Sequence, residues 1–129
     1  MLEDYVIDQG YTGEYGDEMR FIGKRDLARI GARVAIDLYF MSGNAKFLDL
    51  GLDIDLSLND PFMKAGALLK EVTGFVEDRI QGELNWYSQE RGYPLCYLTG
   101  NYLMWDLKKK FLQKGFSDKE FHSKVLQAG

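Results

Sequence analysis

The sequence has few of the residues that build disulfide frameworks and transition-metal sites. Its 129 residues include one cysteine, one histidine and two prolines, and no apolar run approaches the length of a membrane-spanning helix. A single cysteine excludes an internal disulfide framework, which is what we expect of a cytoplasmic protein. One histidine and one cysteine cannot complete a zinc site alone. We therefore predict no metal bound by this chain by itself and no membrane insertion.

The charge balance argues against a nucleic-acid partner. The formal net charge is −4 at pH 7, whereas binding to a phosphate backbone requires a basic face. The chain is 46% hydrophobic and 14% aromatic, which is enough apolar material for one ordinary folded core. We therefore predict a single domain over residues 1–129, with no nucleic acid bound.

The spacing of apolar residues predicts a mainly α fold, a helical bundle with one long N-terminal helix. That helix is expected from about Asp17 to Ser42, because apolar side chains recur there at three- and four-residue intervals. Arg33 and Asp37 lie four residues apart on it and can pair. Shorter helices are predicted over residues 62–72, 75–90, 95–113 and 117–127. Asp60-Pro61 is a typical helix start, and Ser117 and Glu120 can form a capping box at the start of the last helix. In the helix over residues 75–90, the expected core residues are Phe75, Val76, Ile80 and Leu84.

Residues 46–59 break the helical pattern. Aliphatic and polar residues alternate there, which predicts a short β element or hairpin near residues 47–58. A lone strand cannot satisfy its backbone groups, so it would pair within the segment or with a second copy of the chain, giving a homo-oligomer. Asp53 and Asp55 suggest a calcium loop as another interpretation. Leu58 and Lys64, however, occupy the positions where such a loop needs glycine and glutamate.

The C-terminal third carries a recognisable set of motifs. Glu83 is followed by Tyr87, and then by the run Gly92-Tyr93-Pro-Leu-Cys-Tyr97 and a helix with Lys108 near its end. This arrangement resembles the C-terminal part of a bacterial family of uncharacterised, predicted zinc-dependent, helical peptidase-like proteins, distantly similar to metallocarboxypeptidases. The Arg33-x-x-x-Asp37 helix and the closing segment, residues 116–129, resemble further parts of the family in the same order.

The resemblance implies a protein whose metal site lies elsewhere. The family's His-Glu-x-x-His helix and downstream glutamate are not in this sequence, and they would precede Met1. Met41, Arg91 and Cys96 also replace the His, Pro and Ser that family members tend to carry. We therefore expect the C-terminal helical portion of a metal-dependent peptidase or hydrolase, lacking an N-terminal catalytic half and inactive alone. Zinc is implied only for the full-length family. The alternative is a non-catalytic helical dimerisation or interaction module, so whether the chain is an enzyme stays open.

The resemblance also assigns site residues. Tyr97 would contact the oxyanion of the transition state, and the substrate pocket would be lined by Tyr93, Tyr87, Arg33 and Glu83. Each has a structural alternative. The tyrosines can be packing residues with satisfied hydroxyls, and Glu83 can form a structural salt bridge with Arg33 or Arg29.

Overall fold

The computed structural model describes residues 2–128, and it confirms the mainly α fold. Six α-helices lie in this range: α1 Leu2–Asp8, α2 Gly16–Ser42, α3 Pro61–Thr73, α4 Glu77–Gln89, α5 Tyr93–Gln113 and α6 Asp118–Gln127. Two short 3₁₀ helices, Gly13–Tyr15 and Ala45–Leu48, precede and follow α2. None of the helices formed by residues 2–128 is long and apolar enough to cross a membrane.

The chain divides into two compact units. The central unit is Lys24–Leu98, and the terminal unit combines the segment up to Gly23 with the segment from Thr99 onward. The boundaries fall within α2 and within α5. The prediction of one domain over residues 1–129 stays a prediction.

The central unit is built around the packing of α3 against α4. Asp60 caps the start of α3, with its side chain accepting the Met63 N–H at 2.9 Å, and Pro61 is the first helical residue. Gly74 ends the helix in the left-handed conformation at φ 66°, which glycine adopts without steric cost. The core contains fully buried side chains from several elements, among them Ile36, Leu48, Leu68, Leu69, Ile80, Leu84 and Tyr87.

The predicted β element near residues 47–58 is wrong. No residue from 2 to 128 is in a strand, and this segment is a 3₁₀ helix followed by turns. Leu48 is fully buried and Ile54 packs against the core, but Leu50 and Leu52 are 51% and 40% exposed. The alternating aliphatics therefore do not share one buried face. The backbone turns at Gly51, which has φ 75°. Local hydrogen bonds satisfy backbone groups that a strand would have to pair with a neighbouring strand.

Asp55 takes part in one of those turns. Its Oδ1 accepts the Ser57 N–H at 2.8 Å and the Ser57 hydroxyl at 2.6 Å. These hydrogen bonds lower the pKa of the Asp55 carboxyl below its ordinary value. The Asp55 carboxylate therefore stabilises a local turn.

The terminal unit has its own polar and aromatic contacts. Lys108 Nζ lies 2.6 Å from Asp118 Oδ1, and both Lys108 and His122 are buried. The His122 ring is 4.4 Å from the ring of Tyr5, centroid to centroid. The predicted capping box is confirmed, because the Ser117 hydroxyl accepts the Glu120 N–H while the Glu120 carboxylate accepts the Ser117 N–H.

Candidate functional site

The candidate site lies in the central unit, around the side chain of Arg33 in α2. Arg33 is only 5% exposed. Its guanidinium carbon lies 4.2 Å from the centroid of the Trp86 ring, 4.7 Å from that of Tyr87 and 5.9 Å from that of Tyr93. A buried cation is costly unless something compensates its charge. The faces of these aromatic rings supply part of that compensation through cation–π attraction.

The guanidinium of Arg33 has unused hydrogen-bond donors. Within the described part of the chain, Nε and Nη2 are buried and have no hydrogen-bond partner, and Arg33 forms no ion pair. Arg29, one helical turn before Arg33, pairs with Asp26 and Glu83, whereas Arg33 is a buried cation surrounded by aromatic rings.

Asp37 does not pair with Arg33 as its spacing predicted. Both of its carboxylate oxygens instead accept the backbone N–H of Gly92, at 3.1 and 2.9 Å. Gly92 directly precedes α5 and has φ 77°, a conformation that strains other residues. The carboxylate therefore lies at the N-terminus of α5, where the helix dipole and unsatisfied N–H groups favour a negative charge.

Glu83 is the centre of a small charged network. Its carboxylate lies 4.0 Å from Arg29 Nη1 and 3.8 Å from Arg79 Nε, so the expected salt bridge forms with Arg29 rather than with Arg33. The Tyr87 hydroxyl donates a hydrogen bond of 2.5 Å to Glu83. Burial, and then this hydrogen bond to a carboxylate, raise the pKa of Tyr87 to about 12. The Tyr87 side chain is fully buried, and because its pKa is raised its hydroxyl is neutral at physiological pH.

Tyr93 and Tyr97 form the exposed side of the cluster. They lie one helical turn apart on α5 and are 46% and 47% exposed. The Tyr97 hydroxyl donates to the Tyr93 hydroxyl at 2.9 Å, and the rings meet edge to face with centroids 5.2 Å apart. Both hydroxyls can be reached from solvent, but the Tyr97 proton already has an internal acceptor.

The five predicted site residues belong to one cluster. Arg33 contacts Tyr87 and Tyr93 directly, Glu83 joins through Tyr87, and Tyr97 joins through Tyr93. The sequence argument missed Trp86, the ring nearest to the Arg33 guanidinium. Its signal was its position three residues after Glu83, since this spacing places both side chains on neighbouring parts of one helix surface.

The described residues do not fit the zinc that the resemblance implies for the full-length family. From residue 2 to residue 128 there is no group of three or more His, Cys, Asp or Glu side chains that could hold a metal ion. The carboxylates of Glu83 and Asp37 already have partners: Asp37 accepts the Gly92 N–H, and Glu83 binds Tyr87 and two arginines. The groups that the cluster offers are a buried positive charge, aromatic rings and tyrosine hydroxyls.

Comparisons of the chain with protein-family models, with curated proteins and with solved structures find no significant match in any of the three. The resemblance to peptidase-like proteins therefore stays a prediction drawn from the sequence motifs. The function of the cluster has to be argued from its own chemistry.

Proposed function

We propose that this chain forms the substrate-pocket wall of a metal-dependent peptidase or hydrolase, whose metal and general base come from an N-terminal catalytic part. What supports the proposal is that the residues assigned to the pocket by the motif resemblance lie together, although they come from three helices. Arg33 belongs to α2, Glu83 and Tyr87 to α4, and Tyr93 and Tyr97 to α5. We place this activity in the cytoplasm because a chain with one cysteine suits a reducing compartment.

In this proposal Tyr97 donates its phenolic hydrogen bond to the oxygen that becomes negative in the transition state. A single donor of this kind contributes about 10²–10³ in rate. Since the Tyr97 hydroxyl donates to Tyr93, the substrate oxygen would have to replace the Tyr93 hydroxyl as acceptor. Tyr93 is half exposed, so its ring can move aside without opening the core. In this proposal the buried Arg33 and Tyr87, together with the partly buried Glu83, form the floor of the pocket.

The test expresses the chain together with the proposed N-terminal catalytic part and measures zinc content and peptide hydrolysis. We expect zinc-dependent hydrolysis, with Tyr97→Phe lowering kcat by about 10²–10³ and leaving the zinc content unchanged. The matched control is Tyr102→Phe, because Tyr102 is an exposed tyrosine on the same helix. Absence of zinc-dependent hydrolysis, or an unchanged kcat in Tyr97→Phe, would overturn the proposal.

A second candidate function, a helical dimerisation module, is favoured by an apolar surface on the terminal unit. Tyr102 is 70% exposed and Trp105 is 41% exposed, and both line an open groove of about 750 Å³ that also includes Leu112. Continuous exposed apolar surface is typical of interaction sites. Asp106 and Lys109 line the same groove, so two copies related by a two-fold axis could pair their opposite charges there.

Light scattering tests this second candidate. We expect a dimer that Trp105→Lys converts to a monomer, because a charge would then have to be buried in the interface. Leu126→Lys is the control, because Leu126 is exposed on α6 and does not line the groove. A wild-type chain that stays monomeric at high concentration would refute the dimer.

A further inference from the structure

The N-terminal half of α2 is exposed on every side. Each residue from 17 to 28 is exposed, and the stretch includes the large apolar side chains of Met19, Phe21, Ile22 and Leu27, which are 37–67% exposed. In water an isolated helix of about 12–15 residues is only marginally stable, and most of the stability of protein helices comes from packing. Among residues 2–128 no segment covers this half of α2, so a second molecule that covers it would stabilise it.

One face of this stretch places apolar side chains beside two opposite charges. Met19 and Ile22 are three residues apart, which makes them neighbours on the helix surface. Glu18 and Arg25 are seven residues apart, about two helical turns, so both lie along the same edge of that face. The edge therefore carries a negative charge at one end and a positive charge at the other.

These two charges have no ion-pair partner within the described residues 2–128. Neither Glu18 nor Arg25 lies in a salt bridge there, and the neighbouring acid on the same face, Asp26, is paired with Arg29 at 3.7 Å. Both unpaired side chains are exposed and can each meet an opposite charge on another molecule. The charge of Asp26 is already compensated, so it does not oppose such a contact.

An antiparallel second copy of the helix is complementary to this face. When two copies pair about a two-fold axis that crosses α2 between Phe21 and Ile22, Glu18 of each copy lies opposite Arg25 of the other. Met19 of each copy then packs against Ile22 of the other, as apolar side chains do in antiparallel coiled coils. A parallel pair in register brings like charges to the same level instead, which is unfavourable.

We propose that this face of α2, formed by Glu18, Met19, Ile22 and Arg25, is a self-association surface through which two copies of the chain pair as antiparallel helices. The order of its charges makes the face its own complement, which is why the occupant is a second copy. The inference does not rest on the proposed hydrolase function. It also uses a different helix from the groove lined by Tyr102 and Trp105 on α5.

The experiment measures self-association of the full chain by sedimentation equilibrium over a range of concentrations. We expect the wild type to dimerise. Glu18→Lys and Arg25→Glu each replace two attractive contacts with two repulsive ones, so we expect each to weaken association at least about tenfold. An equal mixture of the two variants again places opposite charges across both contacts, and we expect it to form a mixed dimer with about the wild-type affinity. Mixing cannot repair a variant that has failed to fold.

The matched controls are Asp17→Lys and Lys24→Glu. They make the same changes of charge at two exposed positions of the same helix, also seven residues apart, but the helical period places them on the side away from Met19. Both controls should associate as tightly as the wild type. Equal weakening by the controls and by the Glu18 and Arg25 variants would mean that net charge decides association, and this would overturn the inference.

Three further results would overturn it. The first is a wild-type chain that stays monomeric, including one that uses Glu18 and Arg25 to bind the proposed N-terminal catalytic part. The second is a mixture of the two reversed variants that does not regain the wild-type affinity. The third is a dimer that Trp105→Lys dissociates and that both charge reversals leave intact, because its contact would then lie in the α5 groove.

Discussion

The Asp37 carboxylate accepts the Gly92 N–H with both oxygens, at 3.1 and 2.9 Å, across 55 positions of sequence. This contact ties α2 to the start of α5 within the central unit. Arg33 lies four residues before Asp37, but among the described residues it forms no ion pair, and its Nε and Nη2 have no hydrogen-bond partner. The carboxylate that the spacing paired with Arg33 therefore caps α5 instead.

Replacing Asp37 should destabilise the fold. Asp37→Ala removes a buried, charge-assisted acceptor, and we expect it to lower the free energy of unfolding by about 1.5–3 kcal/mol in urea titrations. Asp37→Asn keeps one acceptor oxygen and loses the charge, so its cost should be smaller. Asp53→Ala is the control, because Asp53 is exposed. Equal stability of Asp37→Ala and Asp53→Ala would contradict the capping role.

The hydrogen bond from Tyr87 to Glu83 should make stability depend on pH in the alkaline range. The folded pKa of Tyr87 is about 12, against an ordinary value of 10.0. Between these values the unfolded chain loses the phenolic proton while the folded chain keeps it, so stability falls as pH rises. Below pH 10 we expect Tyr87→Phe to be less stable than wild type by about 1–2 kcal/mol. This difference should shrink as pH rises from 10 to 12.

Urea unfolding at pH 8 and pH 11 measures this effect, with Tyr11→Phe as control because Tyr11 is 79% exposed. An ultraviolet titration of the folded protein should show one late-ionising tyrosine, absent in Tyr87→Phe. If the gap between wild type and Tyr87→Phe is the same at both pH values, Tyr87 is not held neutral by burial and Glu83.

The helices were predictable because their signals are local. Asp60 and Pro61 start α3 as expected, and the Ser117–Glu120 capping box opens α6, since each cap is decided by a few neighbouring residues. Val76 was expected in the core but is 71% exposed, because it lies at the N-cap of α4 rather than inside the helix. The helix was predicted to begin at residue 75, whereas α4 begins at Glu77. Local signals define helix boundaries less well than helix interiors.

Two features could not be predicted from residues that are neighbours in the sequence. The alternation in residues 47–58 predicted a strand, but a strand needs a partner, and no other segment of residues 2–128 provides one. The environment of Arg33 depends on Trp86 and Gly92, which are far away in sequence. An α-helical i, i+4 spacing shows that Arg33 and Asp37 can meet, but not that a distant backbone N–H binds Asp37 instead.

The capping box of α6 should contribute measurable stability. Ser117→Ala removes the hydroxyl that accepts the Glu120 N–H, and we expect a loss of about 0.5–2 kcal/mol in urea unfolding. Ser123→Ala is the control, because Ser123 is an exposed residue inside the same helix. If both variants are equally stable, the box does not stabilise the helix.

The stabilisation from this box should also depend on pH. The hydrogen bond from the Ser117 N–H lowers the pKa of Glu120 below its ordinary value of 4.5. The Glu120 contribution is therefore present above pH 4.5 and lost as pH falls through the lowered folded value. Unfolding measured at pH 7 and at pH 3 should show a smaller difference between wild type and Glu120→Gln at the lower pH. A difference that grows on acidification would contradict this assignment.

Two glycines should respond to alanine in opposite directions. Gly82 lies inside α4, is exposed, and has no atom within 4 Å of an added Cβ, so Gly82→Ala should raise the free energy of unfolding by about 0.5–1 kcal/mol. Gly74 has φ 66°, so Gly74→Ala should lower it by about 1–2 kcal/mol. Thermal melts of both variants against wild type measure this contrast. A destabilising Gly82→Ala would mean that this face of α4 is covered in solution, and light scattering would then show whether a second copy covers it.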